Sequence, residues 1–299
     1  MFCRPRRSRA ELPSATAESE PLVVTAACTA SSHLELQQVA PPLRLLHSLL
    51  RAAPFRESSG DQTAWGYSWE ELWRRIGCSQ KELMAGLASA QAAHIRGRWC
   101  ILDSEYRQSL LQLLLLSCAA QGWPTGAFEE EEMVQLLTAD GCDPDAVRHA
   151  LRLFGAPGAE PGMWALDERG VCVERARSLL ARSERTRLDE FMAAWRAALP
   201  EGFTPDAGML RGEALVEVQG LESWVCRFSL SELPRTAKER FEALFARKPR
   251  WTMPEIEPYL REVDETGATD ESLLLAWTRR TAAMRDVPEF FSARFTASV

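Results

Sequence analysis

The sequence is poor in the residues that do chemistry. It has four histidines, at 33, 47, 94 and 149, and no two of them stand at metal-ligand spacing. Its eight cysteines, at 3, 28, 78, 100, 118, 142, 172 and 226, never form a C-x-x-C pair. They read as reduced, mostly buried thiols. Cys142 and His149 have no second ligand pair near them, so no metal is expected. There is no G-x-x-x-x-G-K-[ST] phosphate cradle, no G-x-S-x-G elbow and no H-E-x-x-H helix. An enzyme is therefore the least supported of the function classes, and no cofactor is implied. Long apolar runs are also missing. The richest, Leu110 to Leu116, is interrupted by Gln112 and falls far short of the ~20 residues of a membrane span. Nor is there an excess of positive charge. The formal net charge is −7 and the pI about 5.4, so any hold on nucleic acid must come from a local basic patch.

What is present is a soluble, helix-leaning composition, 46% hydrophobic and 26% charged over 299 residues, enough for two or three small domains. Arg4, Arg6, Arg7 and Arg9 open the chain without an apolar stretch behind them, which excludes a secretory signal. A disordered terminus is expected there, with a basic tail or a transit peptide as alternatives. His33 to Val39 alternates like a strand, and Pro41-Pro42 opens a helix over Leu43 to Ala52.

A unit then recurs. Ser68 with Glu71 and Ser79 with Glu82 are two capping boxes, predicting short helices from Trp69 to Ile76 and from the second box to about Ala92. His94 to Leu102 follows as a hairpin turning at Gly97. Helix, turn, helix and hairpin is the order of a winged helix. A long helix, Ser104 to Gln121, leads to a second copy. It has a helix over Glu129 to Leu137, a helix capped by Asp143 with Pro144 at its first position, and strands at Met163 to Leu166 and Val171 to Val173. The acidic run Glu129 to Glu132 suits a helix N-terminus. His94 and His149 read as solvated surface histidines. A helix from Glu174 to Leu199 and strands at 210–218 and 223–230 lead to a third copy. Its predicted helices are Lys238 to Ala246, Pro254 to Val263 (opened by the Thr252/Glu255 box) and Glu271 to Met284, and Phe290 to Phe295 is its last wing. The expected fold is mainly α with small β wings (α+β), as three tandem winged helices. The corresponding parts are 1–30, a disordered or incomplete β-rich remnant; 31–103; 104–175; 176–234, a helical and β linker; and 235–299.

The third copy carries the basic candidates: Arg247, Lys248 and Arg250 before its first cap, Arg279 and Arg280 near the end of its last helix, Arg285 just after, and Arg294 in the wing. Residues 235–299 hold eleven basic and eleven acidic side chains, so this end is neutral on an acidic chain. Such groups on a recognition helix and wing would contact phosphate oxygens and release counterions. Arg148 and Arg152 in the second copy, and Lys81, Arg96 and Arg98 in the first, are thinner signals. The alternative is a winged-helix module that binds only protein.

The stretch RFEALFARKPRWTMPEIEPYL, Arg240 to Leu260, resembles the C-terminal signature of the defective-in-sister-chromatid-cohesion (Dcc) family, close to RF..LF..+.KWT..DI.PY. Ser32 to Leu46, the G-x-W-x-I/L wing within Trp69 to Leu102, Leu188 to Gly202 and Leu210 to Leu215 are similar to upstream parts of that family, so the likeness covers roughly 31–299. The resemblance implies a non-catalytic nuclear subunit of the cohesion-specific alternative clamp loader, a replication factor C-like complex. The implied partners are its large and small accessory subunits, the leading-strand DNA polymerase epsilon, the sliding clamp indirectly, and double- and single-stranded DNA, with no membrane. In that family a β-rich N-terminal region makes the partner contacts and the C-terminal winged helices reach DNA. About thirty residues precede the resembling portion, so most of the β-rich region is expected to be missing here.

Overall fold

The computed structural model describes residues 43–56, 65–123, 127–158, 160, 162–261, 263, 269–283 and 288–294. The expected strand at 33–39 and the remnant at 1–30 lie outside them. The fold is α+β, with helices carrying most of the described residues and small antiparallel sheets between them.

Among the described residues the elements form four groups of one order. The first is α1 (Leu43–Ala52), α2 (Trp69–Ile76), α3 (Gln80–Ser89) and the hairpin β1 (Ala93–Ile95) and β2 (Arg98–Cys100). A bridge between Tyr67 and Trp99 stands in for a first strand. The second is α4 (Ser104–Gln121), β3 (Phe128–Glu129), α5 (Glu130–Ala139), α6 (Pro144–Phe154), β4 (Gly155–Pro157) and β5 (Met163–Leu166), with strand order β3-β5-β4. The third is α7 (Glu168–Leu180), β6 (Arg185–Arg187), α8 (Leu188–Ala197), a 3₁₀ turn (Ala207–Leu210), β7 (Ala214–Gln219) and β8 (Glu222–Arg227), ordered β6-β8-β7. The fourth is α9 (Ala237–Arg247), β9 (Arg250–Trp251), α10 (Met253–Ile256) prolonged by a 3₁₀ turn (Glu257–Leu260), α11 (Asp270–Trp277), β10 (Thr278–Thr281) and β11 (Phe290–Ala293), ordered β10-β11-β9. In each three-stranded sheet the last strand is central, pairing with both its hairpin partner and the strand before the second helix. The segment read as a linker thus carries the same strand order as its neighbours.

Local chemistry explains the boundaries. Ser68 Oγ accepts from Glu71 N at 3.2 Å while Ser68 N donates to Glu71 Oε2 at 2.8 Å, and Ser79 with Glu82 repeats the pattern. Gly77, at φ 66°, ends α2 in the left-handed conformation that glycine adopts without steric cost. Asp103 and Asp167 each follow a strand or bridge directly and cap the next helix through backbone amides at their N-termini. Gly155 lets the end of α6 pass into β4, because an added Cβ would stand 2.8 Å from the Leu151 carbonyl.

Several expectations are corrected. Val171 to Val173 is not a strand but the first buried turn of α7, nucleated by Asp167, and the helix expected over 174–199 is broken into α7, β6 and α8. The segment over 254–263 is a short helix and a 3₁₀ turn. Pro258, at the start of that turn, supplies no N–H to continue an α-helix. The helix expected over 271–284 stops at Trp277. Thr278 Oγ1 donates to Leu274 O, and the next residues pair with β11, so sheet formation overrides local helix propensity.

Cores follow the groups. Leu46, Leu50, Leu72, Ile76, Leu83 and Leu87 close the helices of the first. Its hairpin instead shares a core with the whole second group, through Ile95, Leu102, Leu111, Leu114, Val147 and Leu151. Trp195 and Val225 anchor the third, Trp251 and Tyr259 the fourth. The six cysteines among the described residues form no disulfide with one another, and all but Cys78 are buried. No helix among the described residues is long and apolar enough to cross a membrane.

His149 is not a surface residue. It is 8% exposed on α6, and its Nε2–H donates to the carbonyl of Gln91 at 3.1 Å. Gln91 sits at φ 51°, unusual for a residue with a Cβ, so the imidazole pins a strained turn between α3 and β1. Burial pushes the His149 pKa down to about 4, and Arg152 and Arg107 push the same way against the Gln91 bond. The folded pKa lies below the unfolded 6.5, so as pH falls from 6.5 toward 4 the unfolded chain takes up a proton that the folded chain refuses. Stability should therefore drop over that window. In His149→Gln, which keeps an N–H donor, the loss between pH 7 and 5 should be smaller by about 1–2 kcal/mol in urea unfolding. An identical loss in both proteins would contradict a buried neutral imidazole.

Candidate nucleic-acid interface

The fourth group is organised around one indole. Trp251 is fully buried, and its Nε1 donates to the carbonyls of Lys248 at 2.8 Å and Leu244 at 3.2 Å. It packs on Tyr259 and Phe228. Strand residues alternate faces, so a buried Trp251 sends its neighbour Arg250 outward. In-register partners share a face, and Phe291, opposite both Trp251 and Arg280, is buried while Ser292 stands opposite both Arg250 and Arg279. The outward face of the sheet therefore carries a row, Arg250–Ser292–Arg279, crossing all three strands. At two strand spacings its arginine Cα atoms are about 10 Å apart.

The seven basic residues singled out in the sequence fare differently. Arg250 is exposed, with its guanidinium 4.8 Å from the centre of the Phe290 ring, and Arg279 is exposed. Neither has an ion pair among the described residues. Arg247 is paired with Glu217 of β7 at 2.7 Å. Lys248 is paired with Glu255 at 2.7 Å. Burial opposes the charge of Glu255, yet the Lys248 ammonium and the Thr252 amide and hydroxyl outweigh it and hold the carboxyl below the usual range. Arg280 is ion-paired with Glu289. Arg294 donates to the Leu275 carbonyl at 2.5 Å. Arg285 lies outside the described residues. Arg279 and Arg280 are strand residues rather than helical ones, so they point to opposite sides instead of lying together on a helix surface.

Two members of this face were missed as site residues, Phe290 and Ser292. The alternation Phe290-x-Ser292 against buried Phe291 was their signal. The thinner candidates are largely used up in structure. Arg96 pairs with buried Asp143 at 2.6 Å, Arg98 bonds the carbonyls of Trp65 and Gly66, and Arg148 meets Glu131 at 3.4 Å. Lys81 and Arg152 are exposed. Glu130, in the acidic run, accepts from Trp164 Nε1 at 3.0 Å. Among the described residues no cluster of histidine, cysteine or carboxylate side chains could hold a metal.

The signature from Arg240 to Leu260 is mostly architecture. Arg240 is 1% exposed, and its guanidinium donates to the carbonyls of Tyr259 at 2.8 Å, of Arg261 at 3.3 Å and of Pro234. It ties the start of α9 to the far end of the 3₁₀ turn. Phe241 and Leu244 enter the core, Thr252 and Glu255 close a capping box, and Tyr259 Oη donates to Phe228 O at 2.9 Å.

A family model for "Sister chromatid cohesion protein Dcc1" matches residues 1–260. The chain belongs to this family. The Dcc1 match takes in the first thirty residues and ends at Leu260, so Arg250 lies within it and Arg279 and Ser292 beyond it. Proteins named sister chromatid cohesion protein DCC1 are similar: that of Danio rerio is 31% identical over 82% of this chain and 64% of its own length. The Homo sapiens protein is 26% identical over 88% and 68%, and the Saccharomyces cerevisiae protein 24% identical over 71% and 58%. The chain thus spans about two thirds of the length of these Dcc1 relatives. The family is named for cohesion and not for a catalytic activity.

The buried guanidinium gives a direct expectation. Arg240→Met keeps the apolar stem but leaves three carbonyls without a donor, and should lower unfolding free energy by about 2–4 kcal/mol. Arg279→Ala, on the surface of the same group, should change it by less than about 0.5 kcal/mol. Equal effects in denaturant titrations would contradict the structural reading of Arg240.

Proposed function

We propose that this chain is a non-catalytic subunit acting in sister chromatid cohesion, and that it touches DNA through the outward face of its terminal sheet. The observation that carries this reading is the row Arg250–Ser292–Arg279. Two guanidiniums without carboxylate partners among the described residues stand about 10 Å apart on a chain of net charge −7. Family membership supports the cohesion role. The strand order supports reading the tandem units as winged helices, a fold that presents its sheet edge and wing to a duplex. Three such units were expected, and we read the segment 168–227 as a further, reduced one, with a 3₁₀ turn in place of its second helix.

Following the Dcc resemblance, the protein works in the nucleus within the alternative replication factor C-like clamp loader. It joins the large and small accessory subunits and DNA polymerase epsilon, and affects the sliding clamp indirectly. No nucleotide-binding motif is present in the sequence, so ATP hydrolysis falls to other subunits on this reading. A second reading is a protein-binding scaffold. The pairing of Arg247, Lys248 and Arg280 with carboxylates and the exposed Val218 and Leu221 at the β7–β8 hairpin favour it.

Fluorescence anisotropy with duplex and single-stranded DNA at two salt concentrations separates the two readings. Arg250→Glu with Arg279→Glu should weaken binding at least about tenfold and make the log K against log salt slope shallower by roughly 2. Arg247→Ala with Lys248→Ala should change affinity less than about twofold, since those charges are already neutralised. An absence of binding at low salt, or indifference to the first pair, would leave the scaffold reading.

A further inference from the structure

An arginine laid over an aromatic ring recurs at the same register in the last two sheets. In the fourth group, Arg250 of β9 stands opposite Ser292 of the central strand, and its guanidinium lies over Phe290, two residues before that partner. In the third group, Arg185 of β6 stands opposite Cys226 of the central strand, and its guanidinium lies over Trp224, again two residues before that partner and 4.3 Å from the ring centre. Residues two apart on a strand share a face, so each pair is a diagonal contact on one side of its sheet. The strands themselves are unlike, Arg-Thr-Arg in β6 and Arg-Trp in β9, so the match is one of geometry rather than of sequence.

Neither ring is a core residue. Trp224 and Phe290 are half-buried, and neither joins a hydrophobic cluster among the described residues. Arg185 is exposed, and its hydrogen bond goes to the side-chain oxygen of Gln219 at 2.6 Å, a neutral acceptor that leaves the charge in place. Two carboxylates on the same face are taken up elsewhere, Glu217 by Arg247 at 2.7 Å and Glu222 by Arg187 at 3.5 Å. The Glu217–Arg247 pair also ties β7 to the end of α9, and the three residues from Arg247 to Arg250 span roughly 11 Å at most. The two arginine-on-ring pairs are therefore neighbours on adjoining sheets.

We propose that Arg185 and Trp224 form a second DNA contact, one that takes an unpaired nucleotide. The inference rests on the reading that the terminal sheet meets DNA, and it extends that contact by one sheet. Each nucleotide of a single strand offers a phosphate to a guanidinium and a flat base to an aromatic ring. The bases of a duplex are stacked on one another, so the ring adds nothing to duplex binding. A single strand is also flexible enough to pass from one sheet to the next. Val218 points to the other face of β7 and takes no part.

Fluorescence anisotropy of the full chain with oligothymidylates of about 4 to about 16 nucleotides, the range of single-strand site sizes, tests the proposal. Affinity should rise with length as a strand reaches from one arginine-on-ring pair to the other. Arg185→Gln with Trp224→Leu should weaken binding of the longest strand at least about tenfold, and leave the shortest strand and duplex DNA within about twofold. Arg185→Gln alone, a surface change, should give part of that loss. Trp224→Phe, which keeps a ring, should retain most of the affinity, and Arg196→Gln, exposed on α8, should have no effect. An unchanged affinity for the longest strand in both Arg185 variants, or equal weakening of short, long and duplex DNA, would overturn the second contact, even where Arg250→Glu with Arg279→Glu still weakens all three. Loss of long-strand binding in the Arg185 variants, with no effect of that glutamate pair, would support the second contact and remove the first.

Discussion

The functional reading of this protein depends on the placement of Trp251. A strand has a period of two, and a one-residue slip would exchange its faces. With the indole fully buried and held by two carbonyls, β9 has one possible orientation, and Phe291 of the central strand is fixed beside it. Arg250, Ser292 and Arg279 are then outside by necessity. The exposed row is a consequence of core packing, and it is rigid for the same reason: each of its members is adjacent in sequence or register to a buried aromatic or a paired strand. Below it, Arg240 closes the unit from the other side by gathering three carbonyls.

The remaining groups repeat this plan with different outcomes. The second and third place their last strand in the centre of a three-stranded sheet, and the first and second start the next helix almost at once. The first two share a core outright. Between α4 and α7, buried Glu174 bridging Arg107 and Arg177 shows how charges are kept hydrogen-bonded despite burial. In the first and second groups Arg96, Arg98 and Arg148 are spent on Asp143, backbone carbonyls and Glu131, while Lys81 and Arg152 stay exposed. Charge near a hairpin is thus not by itself a sign of a ligand; the pairing state decides.

Much of this was legible in the sequence because caps are local chemistry. The Ser68/Glu71, Ser79/Glu82 and Thr252/Glu255 boxes and the Asp143-Pro144 start placed the beginnings of their helices, and Gly97 placed the first hairpin. What was not legible depended on partners distant along the chain. Thr278 to Thr281 leaves the helix because β11 is there to pair with it, and Val171 is helical because Asp167 caps ahead of it. His149 was read as solvated because nothing in its neighbourhood announces the Gln91 carbonyl, 58 positions away. The carboxylates that neutralise Arg247 and Arg280 were equally invisible. The seven basic candidates therefore divide in a way that spacing could not foretell, whereas the alternation around Phe291 could have added Ser292 to them.

The most direct test of the central claim is photo-crosslinking to duplex DNA from a reactive side chain placed at Ser292, midway along the arginine row, and separately at Val218 on the third group's hairpin. If the outward face of the terminal sheet meets the phosphate backbone, residue 292 should crosslink DNA in a salt-sensitive manner while residue 218 stays silent. Crosslinks from position 218 with none from 292 would contradict the account.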